Sequence, residues 1–100
     1  IPNRADLAAS FEQAVCDVLV AECLRAADRE GLDTVLVAGG VACNRRLRAE
    51  MTARAAERGL RALFPSPAYC TDNAVMIAGL GWHVWKSGAS AGLALEASPR

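Results

Sequence analysis

One hundred residues make one domain at most, and a formal net charge of zero gives no overall electrostatic reason to bind a polyanion. Hydrophobic residues make up 53% of the chain, but 21 of them are alanine, which suits close-packed helices or a domain with an apolar partner face better than a large self-sufficient core. The four cysteines, Cys16, Cys23, Cys43 and Cys70, form no C-x-x-C pair and have no histidine cluster beside them. That argues against both a zinc site and a disulfide framework, and it fits a reducing, cytoplasmic setting.

The opening stretch IPNRADLAAS is polar and lacks the apolar segment of a signal peptide. The longest apolar run, residues 74–82, is too short to span a bilayer, so no membrane association is expected. The first residue is not methionine, and a piece of a longer protein is expected.

Residues 6–30 read as a helix. Leu7, Phe11, Val15 and Val18 recur at helical spacing, with Asp6, Ser10, Gln13 and Asp17 on the other side. Cys16 and Cys23, seven apart, read as small buried apolar residues on one face. Gly31 is the expected stop, with Arg29 in the last turn. Residues 34–38, TVLVA, form a compact run read as a buried strand. Residues 42–58 read as a second helix with a narrow apolar stripe of Leu47, Met51 and Ala55, ended by Gly59. Arg46–Glu50 and Glu50–Arg54 are i,i+4 pairs on its exposed side. Residues 61–64 read as a second strand, and the prolines of PSP at 65–67 open a loop. Residues 73–87 read as a third helix ending near Gly88, with Trp82 and Trp85 set to pack on a further layer. The tail, 89–100, is weakly patterned. The order helix, strand, helix, strand, helix makes an α/β layer whose strands run parallel, because a helix bridges them. Two strands alone do not make a stable sheet, which again points to more chain.

Two places carry chemistry. The first is VLVAGGVACNRRLR, residues 35–48. Gly39 and Gly40 stand at a strand exit, where open α/β sheets bind ligands and where glycine lets backbone approach a ligand closely. The helix behind them offers free N–H groups. Asn44 is placed either to cap that helix or to reach a ligand hydroxyl. The segment has neither a P-loop lysine nor a G-x-G-x-x-G run, so spacing alone leaves a plain tight turn open as well. The second place is YCTDNA, residues 69–74. Thr71 and Asp72 are both good helix caps, and Asp72 is alternatively a metal ligand. The lone His83, with no second ligand one turn away, reads as a surface or packing residue. Six arginines between Asn44 and Arg61 face only Glu50 and Glu57, and read as a solvated face or, alternatively, a phosphate-contacting surface.

SFEQAVCDVL, VLVAGGVACNRRLR and YCTDNAVMIAGLGW together resemble the C-terminal part of the tRNA threonylcarbamoyladenosine transferases of the TsaD, Kae and Gcp type. The resemblance runs from about Leu7 to Gly88, and the step of 28 positions from Asn44 to Asp72 agrees with it. It implies that residues 1–100 are the C-terminal portion of an actin-like ATPase (ribonuclease H-like) lobe. It implies transfer of a threonylcarbamoyl group from threonylcarbamoyl-adenylate to the exocyclic amine of the adenosine 3′ of the anticodon. The partners it implies are tRNA, an adenine nucleotide and the other subunits of a transfer complex. It assigns Gly39, Gly40 and Asn44 to substrate binding. It assigns Asp72 to one divalent metal ion, Fe2+ ahead of Zn2+. No catalytic side chain is assigned within this chain.

The assignment expects Asn44 and Asp72 to face one cleft. Ala74 departs from the glycine that many members carry. The family's H-x-x-x-H metal ligands are absent, so the metal site is incomplete and the isolated chain is expected to be inactive. A hydrogenase-maturation carbamoyltransferase is disfavoured, because its metal loop is NDGG-like rather than CTDN. A non-catalytic scaffold of the same fold is disfavoured by the presence of Asp72.

Overall fold

The computed structural model describes residues 3–96. The end of the tail, 97–100, therefore lies outside the described residues. Helix α1 spans Arg4–Glu30 and strand β1 spans Thr34–Leu36. A short 3-10 turn, Gly40–Cys43, leads into helix α2, Arg45–Glu57. Strand β2, Arg61–Leu63, is followed by a second 3-10 turn at Pro67–Tyr69 and by helix α3, Ala74–Lys86. The element order is the one the sequence predicts. The second helix differs in one respect: its first turn is split off as 3-10, because Asn44 leaves helical geometry at φ −64°, ψ 122°.

Seven alanines in α1 favour helix over 27 residues. The helix ends where Gly31 turns left-handed, at φ 65°. There the Gly31 N–H donates to Asp28 O and the Leu32 N–H to Ala27 O, satisfying carbonyls the helix would otherwise leave open. The same pair of bonds recurs at the end of α2, from Gly59 to Ala56 and from Leu60 to Ala55. Each stop delivers the chain directly into a strand. β1 and β2 pair in parallel, with Thr34, Val35 and Leu36 opposite Arg61, Ala62 and Leu63. The ladder extends one bond at each end, through Arg61 N–H to Asp33 O (2.8 Å) and Val37 N–H to Leu63 O (2.9 Å).

The core lies between α1, α2 and the sheet. Cys16, Val20, Leu24 and Ala27 come from α1, Val35 from β1, and Leu47, Met51 and Ala55 from α2. Phe64, Leu60 and Ala62 pack against this cluster. The stripe expected on α2 is the one buried. The stripe expected on α1 is not. Leu7, Phe11 and Val18 are exposed, Phe11 at 71%, and the buried face is offset by about one residue to 16, 20, 24 and 27. Helix α1 carries two apolar stripes, and α2 takes the one that holds the smaller side chains. Burial pushes the Cys16 thiol above its ordinary pKa, with Glu50 and Glu12 adding to the shift. Cys23, by contrast, is only half-buried.

Helix α3 buries none of its residues. Trp82 and Trp85 stack on each other at 5.4 Å between ring centroids, and both are exposed. The radius of gyration is 18.6 Å, against about 13 Å for a compact chain of this length.

The burial pattern predicts unequal costs for two truncations in α1. Leu24→Ala should lose about 2–5 kcal/mol of unfolding free energy in urea titration, by removing buried volume. Phe11→Ala should change it by no more than about 0.5 kcal/mol. Equal losses would mean that the outer stripe is packed.

Candidate functional site

The turn from β1 into α2 is built around Gly39, whose φ of 91° with ψ 175° is a conformation that side chains avoid. Ala42 N–H closes the following turn on Gly39 O at 3.0 Å, and Asn44 N–H bonds Val41 O at 2.9 Å. Gly40 has an unstrained backbone. A Cβ added at either glycine would meet nothing within 4 Å, so the surface here is open. Both glycines are exposed.

Asn44 uses both ends of its amide. Its Oδ1 accepts from the Leu47 N–H at 2.8 Å, which caps α2, and its Nδ2 donates to Glu12 Oε1 at 2.7 Å. The capping role is thus filled, and a tie to α1 is added. Glu12 also faces Arg46 at 3.6 Å. From there a polar seam continues along α1 and α2. Gln13 donates to both Asp17 and Glu50, Arg46 and Arg54 flank Glu50, Arg54 pairs with Asp17, and Arg58 pairs with Asp28. The outer arginines of α2, Arg46 and Arg54, are therefore paired with acids of α1 and with Glu50, and Arg45 and Arg48 are the two α2 arginines without an ion pair among the described residues. This disfavours the reading of α2 as a phosphate-contacting surface.

Arg48 points inward instead. Its Nε donates to Ala42 O and its Nη2 to Pro65 O (2.8 Å) and to Cys70 Sγ (3.4 Å), while its guanidinium lies 4.9 Å from the centre of the Phe64 ring. Cys70 is buried beneath it. Cys43 Sγ reaches Pro67 O at 3.7 Å. Desolvation raises the pKa of Cys43, the neighbouring Cys70 thiol raises it further, and Arg48 opposes the shift. The shift favours the protonated thiol of Cys43 over the thiolate.

Asp72 does not cap α3, and neither does Thr71. The cap is Asn73, whose Oδ1 accepts from the Met76 N–H at 3.1 Å and whose Nδ2 donates to Thr71 O at 2.8 Å. Asn73 takes the role because its extended backbone, φ −153° and ψ 150°, brings the amide under the first turn. Asp72 is left exposed, with no hydrogen bond or ion pair to any described residue. It lines an open hollow with Asn73, Ala74, Met76 and Ile77. Its carboxylate suits one position on a divalent cation. No group of three or more metal-ligating side chains occurs among the described residues. His83 is exposed in the last turn of α3, where its position suits the helix dipole.

Within this chain Asn44 and Asp72 line separate hollows. Asn44 faces a hollow of about 290 Å³ with Phe11, Glu12, Val15, Val41 and Leu47, on the α1 side. Glu12 draws the amide toward α1, whereas Asp72 sits at the root of α3, a helix that buries none of its residues among the described residues. Ala38, Val41 and Ala42, the neighbours of the two glycines, line a third hollow with Leu19 and Met51. Glu12 and Arg48 were not anticipated from the sequence. Glu12 gives no signal in spacing. Arg48 gives one, because it follows Leu47 on the inner side of α2.

The pattern of the family described as TsaD, tRNA N6-adenosine threonylcarbamoyltransferase, matches residues 1–79. A tRNA N6-adenosine threonylcarbamoyltransferase of Geobacter sulfurreducens is 54% identical over 95 residues, 95% of this chain and 28% of the relative. One of Symbiobacterium thermophilum is 50% identical over 97 residues, 97% of the chain and 28% of the relative. One of Geobacter metallireducens is 52% identical over 92 residues, 92% of the chain and 27% of the relative. The chain spans little more than a quarter of the length of these relatives.

The double engagement of Asn44 predicts a graded response. Asn44→Ala should cost about 1 kcal/mol through the lost cap. Asn44→Asp keeps an acceptor for the Leu47 N–H but sets a second carboxylate against Glu12, which raises the pKa of one of the two acids in the fold. A group whose pKa is raised by folding holds its contribution below the unfolded value and loses it as pH rises. The variant should therefore approach wild-type stability below about pH 4 and fall behind it toward neutrality. Urea titrations across that range check this. A constant difference at all pH values would mean that Glu12 does not face position 44.

Proposed function

Because the chain belongs to the tRNA N6-adenosine threonylcarbamoyltransferase family, we propose that it is the C-terminal portion of a transferase built on an actin-like, ribonuclease H-like lobe. The whole protein moves a threonylcarbamoyl group from threonylcarbamoyl-adenylate to the exocyclic amine of the adenosine 3′ of the anticodon in tRNA. It works in the cytoplasm with the other subunits of a transfer complex. The remaining length of the protein supplies the second wall of the cleft and the other metal ligands, and the 100 residues alone do not turn over.

Within this reading the open backbone at Gly39 and Gly40 lies against the adenosine. Neither glycine is hemmed in by its own fold, and only Gly39 is demanded by its φ, so the missing Cβ at Gly40 leaves room for a ligand face. Asn44 turns its Nδ2 from Glu12 to the nucleotide and keeps Oδ1 on the Leu47 N–H, so the helix stays capped. The first N–H groups of α2 add a partial positive charge beside a phosphate.

The observation that carries the proposal is Asp72. The fold makes no use of it as a cap, a hydrogen-bond partner or an ion-pair partner among the described residues, although it is set between a buried cysteine and a capping asparagine. One free carboxylate fits as one ligand of a divalent ion, Fe2+ ahead of Zn2+, completed from outside this chain. When bound, such an ion supplies Lewis-acid polarisation of the carbamoyl-phosphate end of the substrate.

The test is Asp72→Ala in the full-length protein. Its melting temperature should stay within a few degrees, as for an unpartnered surface residue. Bound metal, measured by elemental analysis, should fall to a small fraction of the wild-type content. Transfer of labelled threonylcarbamoyl to tRNA should fall by at least about 100-fold. Wild-type metal content together with wild-type transfer would refute the assignment.

A further inference from the structure

We propose that Arg48 is a positioning residue for the transfer site: it ties the loop bearing Asp72 to the turn bearing Asn44, so that the two halves hold one spacing. The proposal rests on the transferase reading above and extends it to a residue outside the substrate and metal contacts.

The guanidinium touches both halves. On one side it donates to Ala42 O, in the turn between Gly40 and Asn44. On the other it donates to Pro65 O at 2.8 Å and to Cys70 Sγ at 3.4 Å, and Cys70 lies two residues before Asp72. Its flat face covers the Phe64 ring at 4.9 Å, at the exit of β2. No acid faces it among the described residues, so its hydrogen-bonding capacity goes to main-chain carbonyls and a thiol rather than to a salt bridge.

Little else holds the loop in place. Helix α3 buries no residue against the rest of the chain, and Asp72 itself has no partner. Among the described residues the other polar link is the longer contact from Cys43 Sγ to Pro67 O, at 3.7 Å. Cys70, 4% exposed, anchors the loop by burial, and Arg48 closes over it. The position of the free carboxylate relative to Asn44 is thus set chiefly through one side chain.

A lysine cannot replace it. The ammonium is a point donor on a flexible stem, whereas the fork of arginine spans two separate carbonyls while its face stacks on a ring. Arg48→Lys keeps the charge and most of the packing but loses the simultaneous grip on both segments.

The experiment compares wild type and Arg48→Lys in the full-length protein. The melting temperature should change by only a few degrees, and Kd for ATP by less than about threefold, because the nucleotide half remains intact. Amide exchange over residues 69–73 should accelerate by about tenfold or more, while exchange in the middle of α1 stays unchanged. At saturating substrate, kcat should fall by about tenfold or more with KM nearly unchanged, the mark of lost alignment rather than lost binding.

Phe64→Leu, which removes only the ring beneath the guanidinium, should shift exchange and kcat in the same direction by less, and it decides the matter if Arg48→Lys fails to fold. Unchanged exchange at 69–73 would overturn the proposal. So would exchange that rises uniformly across the chain with kcat falling only as the folded fraction falls, since that describes a purely structural residue. A wild-type protein with the loop protected but with no transfer to tRNA would sink the transferase reading, and the positioning role with it.

Discussion

The left-handed turn at Gly39 is the constraint on which the rest of the structure depends. With φ at 91° the chain leaves β1, closes a 3-10 turn, and brings Asn44 to the head of α2 with its amide under the first helical turn. From this short segment three ties run outward. Asn44 holds Glu12 of α1, the ladder of β1 holds β2, and Arg48, one turn into α2, holds the loop after β2. A side chain at position 39 would oppose the turn and so loosen all three.

The apolar core and the polar seam divide the work between α1 and α2. Val20, Leu24, Leu47 and Met51 are almost fully buried, each worth about 1.5–3 kcal/mol of transfer free energy. The acids and arginines above them are half-exposed, and contacts of that kind align two helices more than they stabilise them. Their arrangement agrees with the stripe that faces inward: Asp17 and Glu12 meet Arg54 and Arg46 while Cys16 and Val20 pack toward α2. Leu7, Phe11 and Val18, with the whole of α3, are left as apolar surface.

Much of this was legible in the sequence. Alanine content, the glycines at 31 and 59, the β-branched run after Asp33 and the prolines at 65 and 67 each act locally, so the elements and their parallel pairing follow from neighbouring residues. What did not follow was set by tertiary contact. Period 3.6 allows two apolar stripes on α1, and which of them is buried is set by packing against α2 and the sheet. Thr71, Asp72 and Asn73 are all good caps by composition, and the extended backbone at Asn73 decides in its favour. The candidate site was legible as a motif and not as a geometry. The two glycines, Asn44 and Asp72 can be picked out by residue type and spacing, but nothing local tells that Asn44 is already held by Glu12. Nor does it tell that Asp72 lines a different hollow, at the foot of a helix that buries none of its described residues. Spacing puts Arg48 on the inner side of α2, but its partners, two main-chain carbonyls and a thiol, are marked by no sequence pattern.

The account makes one central claim, that an adenylate bound to the whole protein brings Asn44 and Asp72 to a common ligand. The most direct measurement is a crystal structure of the full-length protein with a non-hydrolysable threonylcarbamoyl-adenylate analogue and a divalent metal. The account predicts the adenosine lying on the backbone of Gly39 and Gly40, with Asn44 Nδ2 released from Glu12 onto the nucleotide. It places the Asp72 carboxylate on the metal at the other end of the same molecule. An analogue seated elsewhere, with Asn44 still on Glu12 and Asp72 turned to solvent, would contradict it.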